Sequence, residues 1–162
     1  MTSITPIALD QPLLDQLSAQ ARQTPRLRSH LNLHDRPEAP SHRLLIAIEP
    51  GSYVAPHRHV EHDKAESFVV VRGTLGLLVF NEAGELLSKH VLTPGGACFG
   101  MHIPANTFHT TFALESGTVF FESKAGPYVP LVDADFGHWA PREGDPGCAG
   151  QLAAWRATVL RT

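Results

Sequence analysis

From Leu44 to Lys124 the chain consists of short runs of Val, Ile, Leu and Phe, separated by turn clusters such as EPGS, RGT, NEAGE, TPGG and ESGT. This rhythm constrains the fold most, because runs recurring at intervals of roughly ten residues leave no room for helices between strands. The segments RLLIAIE, YVAPHRH, ESFVVVR, TLGLLVF, ELLSKHVL, ACFGMHIP, FHTTFAL and TVFFES predict about eight antiparallel strands closing into a sandwich or barrel. FVVV and GLLVF are apolar on both faces, which predicts central strands or a face that meets a partner subunit.

The flanks read differently. Leu13, Leu14, Leu17 and Ala21 recur at helical spacing behind Asp10, a capping residue, and Thr24-Pro25 ends the run, so a helix is expected over about 10–23. Between Arg26 and Ser41 a short strand at His30 to His34 precedes a Pro-rich loop. The β region is expected over about 43–124 and a loop-rich, partly helical tail over about 125–162, with Asp145-Pro146 starting a closing helix through Leu152 and Trp155. With no internal repeat, 162 residues suit one mainly β domain spanning 1–162.

Composition narrows the partners. Hydrophobic residues make up 43% of the chain and charged residues 18%, the balance of a soluble globular protein able to fold without disulfides or a structural metal. A net charge of -3 with scattered Lys and Arg argues against nucleic acid and anionic membranes and for a small-molecule ligand. The opening MTSITPIALD lacks the basic start and apolar stretch of a signal peptide, so the expected address is cytoplasmic. Cys98 and Cys148 fit neither a disulfide framework nor a paired-cysteine zinc motif.

Ten histidines are the compositional anomaly. His57 and His59 are two apart, a spacing that on a strand sends both imidazoles to one face. Glu66 opens the next apolar run, where a carboxylate needs either solvent or a cation. In IPANTFH, Pro104 and Asn106 make a turn that delivers His109 to the following strand. Three imidazoles and a carboxylate suit one divalent Fe, Mn, Zn, Ni or Co ion and disfavour calcium and magnesium.

These residues carry a family resemblance. Gly51, His57-x-His59, Glu66 and Gly73 resemble the first cupin motif, and Pro104-x-Asn106-x-x-His109 resembles the second. Across nearly the whole chain, including PRLRSHLNLHD and DFGHWAP, the sequence is similar to the WbuC-type cupin-fold metalloproteins. The resemblance implies a cupin-like antiparallel jelly-roll β-barrel, a homodimer, and a metal held by His57, His59, Glu66 and His109, with a link to surface-polysaccharide loci. Six residues separate His59 from Glu66 where cupins usually have three or four, which leaves Glu61 and His62 as alternative ligands. Asn106 stands in place of the usual Gly, Ala113 where the motif commonly ends in Asn, and Cys98 where it opens with Gly.

Arg28, Asn32, His34 and Arg43, leading into the β region, and Tyr128 in the tail are candidate substrate-binding residues, although an exposed salt bridge is the competing reading for each Arg. Trp139 and Glu143 share the tail with Tyr128, and Trp139 is expected to plug the core. Phe68, Val70, Leu77, Val79, Phe99, Phe112 and Phe120 are expected core, and His30, His42, His62, His90, His102 and His138 are expected at surfaces or rims. No catalytic residue stands out. The functional expectation is a metalloenzyme acting on a sugar or organic-acid derivative, by oxygenase, isomerase or lyase chemistry. The alternatives are a non-catalytic metal-dependent binding protein and a protein that keeps its metal for stability.

Overall fold

Asp10 begins the first element as expected: its carboxylate accepts a hydrogen bond from the Leu13 amide and caps helix α1, Gln11–Gln23. In the computed structural model, which describes residues 5–61 and 64–161, eight strands follow. They are β1 Arg28–Asn32, β2 Ser41–Ile48, β3 Glu66–Arg72, β4 Leu75–Phe80, β5 Leu86–Leu92, β6 Gly100–Ile103, β7 Phe108–Ala113 and β8 Thr118–Ala125. A short 3-10 turn at Asp133–Asp135 and helix α2, Cys148–Leu160, complete the chain. Asp145 does not cap α2. Its carboxylate instead accepts from the Arg142 amide, and Gly147 precedes the first helical residue.

All pairing is antiparallel, but the strands do not close into the expected β-barrel. They form one five-stranded sheet in the order β1-β2-β8-β3-β6 and a separate three-stranded sheet, β5-β4-β7. The physical reason lies at Gly73. It links β3 to β4 with φ 78°, and a Cβ there would lie 2.7 Å from the Thr118 Cα, so the chain turns sharply and β4 leaves β3's sheet for the other.

Both doubly apolar strands are central, β3 between β8 and β6 and β4 between β5 and β7. The sheets share a core of Ile48, Phe68, Val70, Leu75, Leu77, Leu92, Ile103, Ala113 and Phe120. The opposite face of β4 and β7 packs Leu78, Phe80, Phe108 and Phe112 against Leu152, Trp155 and Val159 of α2. Leu14, Leu17 and Ala21 of α1 cover Leu45, Ala47 and Val119 on the outside of the larger sheet. Val79 is only partly buried, and Phe99, expected in the core, is 56% exposed. Phe99 precedes β6, and its carbonyl accepts from the Val70 amide while the ring faces away.

Two other expectations change. YVAPHRH forms no strand, since Pro56 supplies no amide proton for a ladder; His57 makes only isolated bridges to His109 and Phe136. The strand anticipated near His30 does exist, displaced slightly toward the N-terminus.

The tail is fastened to β1. Glu143 accepts hydrogen bonds from Arg26 and Arg28. Burial raises the Glu143 carboxyl, but the two guanidiniums outweigh it and hold it at about 2, against an ordinary value of 4.5. The resulting stabilisation is present above pH 4.5 and lost as pH falls from there toward 2. Glu143→Gln is therefore expected to melt below wild type at pH 7, with the gap closing across that acid window. A gap independent of pH would show that this ion cluster does not stabilise the tail. Trp139 packs on the same side, its ring 4.6 Å from Phe80, and it plugs the outer cluster rather than the core between the sheets.

Candidate metal centre

Glu66 lies opposite Ile103 of β6 and Lys124 of β8, so a position that reads as a strand mouth is covered on both sides and only 2% exposed. His109 is in β7, opposite Val79, and shares the inward face with Thr111. His57 reaches it without a regular strand: the two residues exchange both backbone hydrogen bonds, at 3.1 and 3.0 Å, and their rings lie 4.7 Å apart. Asn106, at φ 60° in the turn before β7, donates its amide to the His59 carbonyl and ties both histidine segments together.

One ligand atom from each of His57, Glu66 and His109 lies within 4.8 Å of the others, a group that could coordinate a divalent metal. The Nδ1 of His57 faces the Ala55 carbonyl and that of His109 the Thr107 carbonyl, both at 2.9 Å. A carbonyl can only accept, so each Nδ1 carries a proton, and in the neutral ring the Nε2 is left to offer a lone pair. His109 Nε2 lies 2.6 Å from Glu66 Oε1, yet that buried oxygen makes no hydrogen bond of normal geometry. His59 Nε2, 3.6 Å from Glu66 Oε2, is likewise buried and without a hydrogen bond. Buried polar atoms left without hydrogen bonds beside two further imidazoles are what a cation would satisfy, and the set of nitrogen and oxygen atoms suits a borderline transition ion.

The electrostatics favour a neutral His57 and an ionised Glu66. Burial lowers His57 to about 3, keeping it neutral. Burial opposes ionisation of Glu66, but the His109 and His59 imidazoles outweigh it and hold the carboxyl well below its ordinary range. His109 is driven down by burial and raised above its usual value by the adjoining Glu66.

His59 stands slightly outside the tight group of three, and Glu61 is exposed and outside it. His62 lies outside the described residues. His102 turns away and pairs with Ser67 Oγ at 2.9 Å. His42, expected at the surface, is buried: its ring stacks on His34 at 4.0 Å and its Nε2 donates to the Pro37 carbonyl, with burial lowering its pKa.

The centre opens into a cavity of about 860 Å³. Arg28, Asn32, His34 and Tyr128 line it, whereas Arg43 does not. Arg28 is already occupied, donating to Ser52 Oγ, the Tyr53 carbonyl and Glu143. The wall residues that escaped the reading of the sequence include Glu122 and Lys124. Their signal was available: after Phe120 the inward positions of β8 alternate into Glu122 and Lys124, polar residues on a core face.

A cupin superfamily protein from Desulfitobacterium hafniense is 13% identical, with a TM-score of 0.54 over 76% of this chain and 95% of its own. KdgF from a Halomonas species is 19% identical, with a TM-score of 0.50 over 66% and 85%. A mutant of Bacillus subtilis oxalate decarboxylase is 17% identical, with a TM-score of 0.50 over 68% of this chain, which spans only 28% of that enzyme. At these identities the likeness is one of fold, and the fold is cupin-like. No curated protein sequence matches the chain. The model of DUF6016, a domain of unknown function, matches residues 9–92, and the chain belongs to that family.

Proposed function

We propose that this chain is a WbuC-type cupin metalloenzyme in which His57, His59, Glu66 and His109 hold one divalent Fe, Mn, Zn, Ni or Co ion and a sugar or organic-acid derivative is turned over in the adjoining cavity. The observation that carries the reading is the convergence of His57, Glu66 and His109 from three separate segments on the wall of an open cavity, with Glu66 Oε1 and the neighbouring His59 Nε2 buried and without hydrogen bonds. A cavity of about 860 Å³ suits a small molecule. Among the described residues no helix is long and apolar enough to cross a membrane. The reading also includes a cytoplasmic address and a homodimer, the latter supported by the exposed Val69 and Val71 on the outer face of β3.

The bound ion would supply a Lewis acid for a substrate carbonyl or hydroxyl. The protein's own contribution is orientation. The Ala55 and Thr107 carbonyls fix the tautomers of His57 and His109, Glu66 supplies negative charge, and Phe68, Ile46, Ile48, Val54 and Phe120 exclude water from the inner wall.

Equilibration with Zn, Mn or Fe followed by exhaustive dialysis and elemental analysis is expected to leave about one ion per chain. The loaded protein would then be tested for turnover of sugars and organic acids, with and without oxygen. No retained metal would overturn the reading, and retained metal with ligand binding but no turnover would reduce it to a metal-dependent binding protein.

A further inference from the structure

We propose that Lys124 anchors a carboxylate of the substrate beside the metal site, so that the cavity selects acidic small molecules over neutral ones. The proposal rests on the metal-binding reading above and names the substrate class for it.

Lys124 is directly opposite Glu66 in the β3–β8 ladder and opposite His42 in the β2–β8 ladder, which points its side chain to the same inner face as the centre. Its side chain is 24% exposed, enough to meet a ligand in the cavity that it lines. Its Nζ lies 2.7 Å from Glu122 Oε1 and 3.9 Å from Glu66 Oε2. Glu122 Oε1 makes no hydrogen bond of normal geometry, so the close contact is one of charge. An ammonium carries three donors, and two neighbouring carboxylates leave at least one for a ligand.

Charge decides the ligand's sign. Glu66 and Glu122 are matched by Lys124 and by Lys64, a buried ammonium on the same wall that donates to the Ala125 and Pro127 carbonyls. A divalent ion held by the histidines and Glu66 then leaves this wall net positive, and a buried positive region favours an anion. Carboxylate fits better than phosphate. Phosphate sites add loose backbone amides, helix N-termini or Arg forks to any lysine they use. Here β8 runs between two hydrogen-bonded neighbours, Arg28 is already engaged, and the cavity's other guanidiniums, Arg26 and Arg36, pair with Glu143 and Asp35. Glu122 beside the ammonium also disfavours a dianion.

Isothermal titration of the zinc-loaded protein would test this with two pairs of probes, glucuronate against glucose and lactate against propane-1,2-diol, with glucose 6-phosphate as a phosphate arm. At least one acid is expected to bind roughly tenfold or more tighter than its neutral partner, the effect of one charge-assisted contact. Lys124→Met should remove that preference without changing the neutral probe, and Lys124→Arg should retain part of it. Equal binding within both pairs, no binding of either acid, tighter binding of the phosphate than of either acid, or a preference surviving in Lys124→Met would each overturn the proposal. Zinc content measured on the same samples separates the failures. Absent zinc defeats the metal reading and this inference together, whereas bound zinc without an acid preference defeats this inference alone.

Discussion

His109→Ala is expected to cut the zinc retained after dialysis from about one ion per chain to less than about a tenth, and to abolish the rise in melting temperature that zinc produces in the wild type. His109 is 2% exposed, and its Nε2 is the nearest imidazole nitrogen to Glu66. No solvent-held side chain can replace it from outside. The substitution has a second consequence in the metal-free protein, because it strips the buried Glu66 carboxylate of its closest partner. Leaving a buried charge so exposed to desolvation costs about 3–5 kcal/mol, so this variant tests stability as well as binding. His57→Ala separates the two effects. His57 is neutral, and its ring nitrogen pairs with the Ala55 carbonyl rather than with Glu66, so that variant should stay folded while losing the metal. Unchanged zinc content in both variants would sink the metal centre.

Phe112→Ala should be the most damaging substitution outside the centre, costing about 3–5 kcal/mol and lowering the melting temperature by roughly 10 °C. The ring is 1% exposed and joins the smaller sheet to α2, stacked near Trp155 at 6.4 Å between centroids. Gly76 on β4 lies directly opposite, and a Cβ there would meet the ring at 2.4 Å, so the ring fills its space up to the neighbouring backbone. A cavity opened at that point cannot be filled by a nearby flexible side chain, because β4 and β7 are held in a ladder. Thermal unfolding checks it. A loss below about 1 kcal/mol would show that α2 collapses onto the sheet and that this packing is adaptable.

The same two regions show what a linear reading can reach. The capped helix at Asp10, the central places of ESFVVVR and LGLLVF, and the turn at Asn106 were all legible, because each depends on neighbours a few residues away. The barrel was not: strand count and spacing are the same for a closed ring and for two sheets, and only the pairing of β3 with β8 and β6, and of β4 with β5 and β7, tells them apart. Phe99 was misplaced for a related reason, since an apolar residue next to a strand is buried only if its side of the backbone faces another layer. His42 erred the other way, buried by a stack on His34 that lies eight positions earlier in the chain.

For the centre, the residue types and their short spacings point to His57, His59, Glu66 and His109 as a ligand set. The sequence by itself determined which side chains could serve and which ions they suit, since donor chemistry belongs to the residue. Only the tertiary structure decided that His57, Glu66 and His109 converge while His59 sits slightly apart. It also brought Lys124 and Glu122 to the same wall. Convergence of groups 43 positions apart, such as Glu66 and His109, is fixed by sheet register and by the bridge between His57 and His109, and neither is written in local periodicity.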